Sequence, residues 1–228
     1  MSARVGNQPA AERRAPSPAL RWRDLLAAPE AWLIAAALAV YAVPGLARAL
    51  QYERALGLIG NGLRLASCHL AHFSGEHLLW DAAALAAIGF GLRSQSRARR
   101  ALVLAVAALV VPRAVHALAP GLDTYRGLSG LVSAAFGLGL AAKLRASVRA
   151  RAAGPACLWG LLLAGFAAKL AFELFAGEAV FVASAEADFV PVPLAHLVGA
   201  AVGGAGGAAP PPPPPPPPQG PSERGARV

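Results

Sequence analysis

Residues 189–208 read FVPVPLAHLVGAAVGGAGGA, twenty positions in which His196 is the only ionisable side chain. About 20 apolar residues in a helix cross the roughly 30 Å of a bilayer's hydrocarbon core, so this stretch predicts a transmembrane helix. A second pattern lies inside it. Gly199 and Gly203 are four apart and form a Gly-x-x-x-Gly face, which lets another helix approach closely. His196 stands three residues before Gly199, nearly on the same face of the helix. Its imidazole is therefore expected to meet the contacting helix and not lipid.

Five more apolar stretches precede this one, at about 31–50, 76–92, 101–120, 128–146 and 156–176. The composition agrees with a membrane chain. Hydrophobic residues make up 56% of the 228 residues, charged residues 14%, and the mean hydropathy is +0.50. A water-soluble globule carries about 25% charged residues, so a cytosolic enzyme, a disordered regulator and a disulfide scaffold are excluded. The formal charge of +9 does not point to nucleic acid, because the Lys and Arg residues sit in short clusters between apolar runs. Such clusters lie in the N-terminal arm (Arg13, Arg14, Arg21, Arg23), at 93–100, at 143–151 and in the tail (Arg224, Arg227). With six spans all four fall on one side, opposite Glu53, Glu76, Asp123, Glu178, Glu186 and Asp188. The positive-inside rule then predicts an all-α membrane protein of six transmembrane helices with both termini cytoplasmic.

The expected organisation is a cytoplasmic arm over 1–30 without a cleaved leader, a six-span core over 31–208 and a tail over 209–228. Nine consecutive prolines, Pro210 to Pro218, make the tail an extended polyproline segment. The long first outer segment, about 51–75, is semi-polar and suited to the membrane interface. Cys68 and Cys157 fall near opposite faces and are expected to stay unpaired.

Polar groups inside spans are costly, and each is a functional candidate. His69, His72 and His77 cluster within residues 67–81, and His77 and Asp81, four apart, share one face of the second span. His77 and Asp81 could supply two metal ligands, or the histidines could cap a helix start. Gly127-Leu128-Ser129-Gly130 opens the fourth span. Ser129 there is either an N-cap or a nucleophile beside unpaired backbone N–H groups that can stabilise an oxyanion. A serine nucleophile needs a base, and His196 is the histidine on a close-packing face. Lys169 and Glu173, four apart on the fifth span, are expected to pair with each other. Arg113 and His116 are expected to snorkel to the interface.

These residues resemble the rhomboid intramembrane serine proteases. That family has six core spans, a His-x-x-x-Asn element on the second, Gly-x-Ser-Gly opening the fourth and Ala-His-x-x-Gly-x-x-x-Gly on the sixth. Here the counterparts are His77 with Asp81, Gly127 to Gly130, and Ala195-His196 with Gly199 and Gly203. Tyr125-Arg126-Gly127-Leu128-Ser129-Gly130 and Phe189 to His196 resemble the rhombosortase branch, which is associated with surface or secreted proteins carrying a C-terminal Gly-Gly motif, an apolar helix and a basic end. The resemblance implies an endopeptidase of the bacterial inner membrane, without cofactor or metal, whose partners are the lipid bilayer and transmembrane substrates with a C-terminal sorting helix. Ser129 would be the nucleophile, His196 the base and acid, and His77 an oxyanion donor with the Ser129 backbone; Asp81, Gly127 and Gly130 support them.

Two positions depart from the family. Asp81 replaces Asn, and an ionised carboxylate cannot donate to an oxyanion. Ser133 stands where many members place a Tyr against the histidine, which leaves open what orients His196. An inactive, client-binding relative is the alternative function, favoured by loss of Ser129 or His196, both of which are present.

Overall fold

The computed structural model describes residues 26–180 and 190–209. Residues 1–25 of the N-terminal arm, Glu186, Asp188 and the proline tract lie outside the described residues. Those described are mostly helical. The six longest helices are α1 (Pro29–Ala42), α2 (Gly75–Gly91), α3 (Arg97–Leu118), α4 (Ser129–Arg149), α5 (Ala153–Ala176) and α6 (Pro193–Ala208). Helices α3, α4 and α5 are long and apolar enough to cross a membrane, and α1 is a shorter apolar helix.

Local chemistry sets the helix ends. Pro29 and Pro193 open α1 and α6, where a missing N–H costs nothing. The Ser74 and Ser96 hydroxyl oxygens accept the backbone N–H of His77 (3.1 Å) and Arg99 (3.2 Å), capping α2 and α3. Two expected boundaries move. The first stretch stops at Ala42 and not at residue 50, because Pro44 and Gly45, at φ +80°, break it before a short turn at Leu46–Leu50. The last helix starts at Pro193 and not at 189, since Pro191 and Pro193 disfavour helix in the residues before them.

Helices α4 and α6 pack in parallel through glycine. A Cβ at Gly199 would overlap the Gly130 carbonyl oxygen, one at Gly203 that of Ala134, and one at Gly207 that of Leu138. Both partners advance by four residues, so a three-glycine face lies directly on the α4 backbone. Gly137 returns the contact, with no room for a Cβ against the Ala200 carbonyl. The glycine face inferred from Gly199 and Gly203 thus extends one turn further.

Buried charge is paired. Glu30 (2% exposed) and Arg100 (4%) form a two-point ion pair joining α1 to α3, Arg100 Nε donating to Glu30 Oε1 at 2.9 Å and its second nitrogen meeting Oε2. Arg100 is therefore not a free loop charge. Gly89 of α2 makes room for it, since a Cβ there would stand 3.1 Å from Glu30 Cγ.

The segment after α1 is a folded clamp, more structured than a strip along the interface. Its strand β1 (Tyr52–Glu53) pairs antiparallel with β2 (Thr124–Tyr125). Arg54 reaches the C-terminal end of α3 and donates to the carbonyls of Val115 (3.1 Å), His116 (3.0 Å), Ala119 (2.6 Å) and Leu122 (2.8 Å) at and just beyond the last turn, where carbonyls lack a full set of helical partners. The Tyr52 hydroxyl bonds His116 Nδ1 at 2.6 Å. His116 is therefore held by the clamp, whereas Arg113 is exposed. Fully buried Asn61 donates to the carbonyls of Glu53 and Gly57, both at 2.6 Å. The Glu53 carboxyl is held below its usual range by the Gln51 amide and by Arg64. Cys68 is buried and Cys157 exposed, and both are free.

The α4–α6 contact generates a paired test. Gly203→Ala should cost about 1–3 kcal/mol, the usual range for overpacking. Gly204→Ala, whose Cβ would meet nothing within 4 Å, should be neutral or stabilising by up to ~1 kcal/mol from helix propensity. Thermal unfolding of the two variants in detergent measures the difference, and equal midpoints would argue against the interlocked backbones.

Candidate active site

The last turn before α4 is held from one side by the segment at 68–72. The Gly127 N–H donates to the Cys68 carbonyl at 3.1 Å, and the Leu128 N–H points to His72 Nε2 at 3.4 Å. His69, buried, places Nδ1 3.2 Å from the Gly127 carbonyl and Nε2 3.2 Å from that of Ala108. Ala108 has a free carbonyl because its helical partner would be the N–H of Pro112, which has none. Gly127 adopts φ +119°, and a Cβ on it would stand 2.9 Å from the His77 ring. A side chain is excluded there by conformation and by space together.

This turn delivers Ser129 as the first residue of α4. Leu128 holds the cap position, with no side-chain cap bond. Ser129 is thus not the N-cap. The first intrahelical bond runs from the Val132 N–H to the Leu128 carbonyl at 2.9 Å, so the N–H groups of residues 129–131 precede it. Ser133 one turn on donates its hydroxyl to the Ser129 carbonyl at 2.9 Å. Its small side chain also suits the glycine contact, since a Cβ at Gly199 would lie 3.3 Å from Ser133 Cβ.

Ser129, His196, His77 and Asp81 line one cavity of about 470 Å³, walled by α2, α4, α5 and α6. The other lining groups include Trp80, Phe136, Phe166, Lys169 and Glu173. The four polar residues expected from the sequence are thus brought together. Gly127 and Gly130 shape the turn, and Gly199 and Gly203 lie in the α4–α6 seam.

Two residues near Asp81 and His196 were not anticipated in these roles. The first is His72. Asp81 Oδ2 lies 3.3 Å from His72 Nε2 and 3.4 Å from His77 Nε2, so one carboxylate faces two imidazoles. His72 Nδ1 faces the Leu70 carbonyl at 3.2 Å, which places a proton on Nδ1. The Leu128 N–H points to the same Nε2, which therefore keeps a lone pair, so the Asp81–His72 contact is not a simple ion pair. His77 is further fixed by Phe73, which stacks on it at 6.2 Å and 14° and is itself covered by Arg126 at 4.5 Å. Among the described residues no three His, Cys, Asp or Glu side chains are grouped to hold a metal ion.

The second is Glu173. Lys169 and Glu173 do pair, Nζ to Oε1 at 2.5 Å, but the pair is not self-contained. Glu173 Oε2 lies 2.9 Å from His196 Nδ1, and Lys169 Nζ lies 3.2 Å from the same nitrogen. The expectation of an isolated structural pair on α5 is corrected: its carboxylate reaches the histidine on α6. The available signal was the expense of two charges within an otherwise apolar span.

A family model described as a Rhomboid domain matches residues 60–209, about two thirds of the 228-residue chain. No curated protein matches the chain.

The Asp81 contacts generate a graded prediction. If Asp81 acts as a neutral donor or as the anchor of His77 and His72, Asp81→Asn should keep or raise proteolytic activity, because the amide can donate to Nε2. Asp81→Ala should lower it about 10²–10³-fold, the effect of removing an oxyanion-hole donor. Peptide-bond cleavage assays on the two variants are decisive. Complete loss in Asp81→Asn would mean that the negative charge itself is required.

Proposed function

The chain belongs to the rhomboid family, and from that premise we propose that it is an intramembrane serine endopeptidase working through Ser129 and His196. The observation that carries this reading is the shared cavity, in which a serine at a helix start and a histidine on the closest-packed neighbouring helix stand together. His196 takes the hydroxyl proton as Ser129 Oγ attacks the scissile carbonyl carbon. The backbone N–H groups at the start of α4 and the imidazole of His77 stabilise the resulting oxyanion. His196 then protonates the leaving amine, and water hydrolyses the acyl-enzyme.

We further propose the six-span topology with cytoplasmic termini, a core over 31–208 flanked by the arm and the proline tail, and residence in a bacterial inner membrane. Ser129 and His196 both lie in the first turns of their helices, near the outer face in this topology. Scissile bonds at the outer boundary are then within reach. Helical backbone is internally hydrogen-bonded and must unwind before it can be cut, and Gly unwinds at least cost. The substrate class is therefore a single-span protein with small residues at its outer boundary. The rhombosortase resemblance narrows this to a C-terminal Gly-Gly motif before an apolar helix and a basic end.

Ser129→Ala and His196→Ala should each abolish cleavage of a reporter carrying such a tail, while the proteins still accumulate. The double variant should be no worse than either single one, since the two residues act as a unit. A fluorophosphonate probe should label the wild type and not Ser129→Ala; substantial activity in Ser129→Ala would remove it as nucleophile. Replacing the reporter's Gly-Gly by Val-Val should block cleavage, and indifference to that change would reject the proposed substrate class.

The topology has its own measurement. Reporter fusions after residues 97 and 148 should read cytoplasmic and one after residue 183 periplasmic. A periplasmic reading at 97 is incompatible with six spans in this orientation.

A further inference from the structure

Along α5 one residue is buried, and it is charged: Glu173, at 3% exposure. The rest of that helix presents apolar side chains such as Leu161, Leu174 and Phe175 outward. A carboxylate in a membrane span is costly, and a need to compensate Lys169 does not explain its aim. Lys169 occupies one oxygen only; the other faces His196 Nδ1 at 2.9 Å.

We infer that Glu173 is a positioning residue for His196, making the site a Ser129–His196–Glu173 relay geometry in which the carboxylate fixes the imidazole. This rests on the serine-protease reading above. A carboxylate oxygen only accepts, so the 2.9 Å contact requires a proton on Nδ1. That proton assigns the tautomer: Nε2 is left with its lone pair and can receive the Ser129 hydroxyl proton. When it does, Oγ bonds to the substrate carbonyl carbon, the carbonyl π pair moves to oxygen, and the imidazole becomes a cation beside the Glu173 carboxylate. Glu173 stays ionised throughout. On collapse the C–N bond breaks and the Nε2 proton goes to the amine. Lys169 has a complementary task. Its ammonium, 2.5 Å from Oε1, supplies the opposite charge that favours an ionised carboxyl in an apolar setting. The alternative orientation, Lys169 donating to a bare Nδ1 across 3.2 Å, would set Glu173 Oε2 lone pair against lone pair at the shorter distance. The other polar groups lining the same cavity are His77 and Asp81 from α2 and Ser129 and Ser133 from α4. Glu173 also answers what the Ser133 position leaves open, since orientation comes from α5 and not from a ring on α4.

The test uses the full chain in detergent with histidine labelled by ¹⁵N. The wild type should show His196 protonated at Nδ1 and neutral at Nε2, with the signal assigned by its absence in His196→Ala. In Glu173→Gln that preference should weaken, because the acceptor that holds the Nδ1 proton is gone. The same variant should lose about 10²–10⁴-fold in kcat with KM changed only a few-fold. Glu173→Asp, which keeps the charge on a shorter arm, should fall between the two and serves alone if Glu173→Gln does not fold. Unchanged tautomer and kcat in both variants would overturn the inference. A wild type that cleaves nothing and escapes the fluorophosphonate probe, yet shows a Glu173-dependent Nδ1 proton, would reject the protease reading and leave the positioning role standing.

Discussion

The site depends on two backbones touching. Gly199, Gly203 and Gly207 of α6 lie against the carbonyls of Gly130, Ala134 and Leu138 on α4, with no space for a side chain between them. Lipid tails are as apolar as Leu, so helices in a membrane gain little from hiding hydrophobic surface and rely on close packing. A residue at the start of α4 and one at the start of α6 are held in fixed relation by such a seam. Because Ser129 is the residue before the first contact on α4 and His196 is three before it on α6, the seam sets where the two side chains sit. The arrangement rests on positions where Cβ is missing.

Around that seam, several groups that the membrane would penalise are tied to specific partners. Glu30 meets Arg100, Arg54 gathers the carbonyls at the end of α3, and His69 takes up the carbonyl that Pro112 leaves free. These bonds reach the reacting residues indirectly. The segment at 68–72 that packs on α3 also fixes Gly127 and Leu128, and so the entry angle of Ser129. Destabilising a histidine that touches no substrate would be felt at the serine through the turn that it holds.

Much of this was legible in the sequence, and the limits have physical causes. The glycine spacing at 199 and 203 marked the packing face, and His196 next to it is buried, with Nδ1 turned to α5. The seams between helices were readable because periodicity along one helix determines which face packs. Contacts between distant segments were not. Nothing local to Glu30 or Arg100 reveals that they meet, nor that Arg54 and Tyr52 belong to the far end of α3. His72 precedes α2 in the chain, and only the turn between them brings it to Asp81. Glu173 was assigned to its i,i+4 neighbour because that rule sees one helix at a time; its second oxygen answers to α6. The early end of α1 was written in Pro44 and Gly45, and mean apolarity across 31–50 obscured it.

Helix α5 is the least embedded of the long helices, with 6% of its apolar window buried against 33% and 39% for α3 and α4. It also carries the carboxylate that meets His196. The grip on His196 therefore comes from the helix with the least contact to the rest of the bundle: Glu173 is the one buried side chain of α5, so the alignment of the imidazole and the seating of that helix on its neighbours are a single contact.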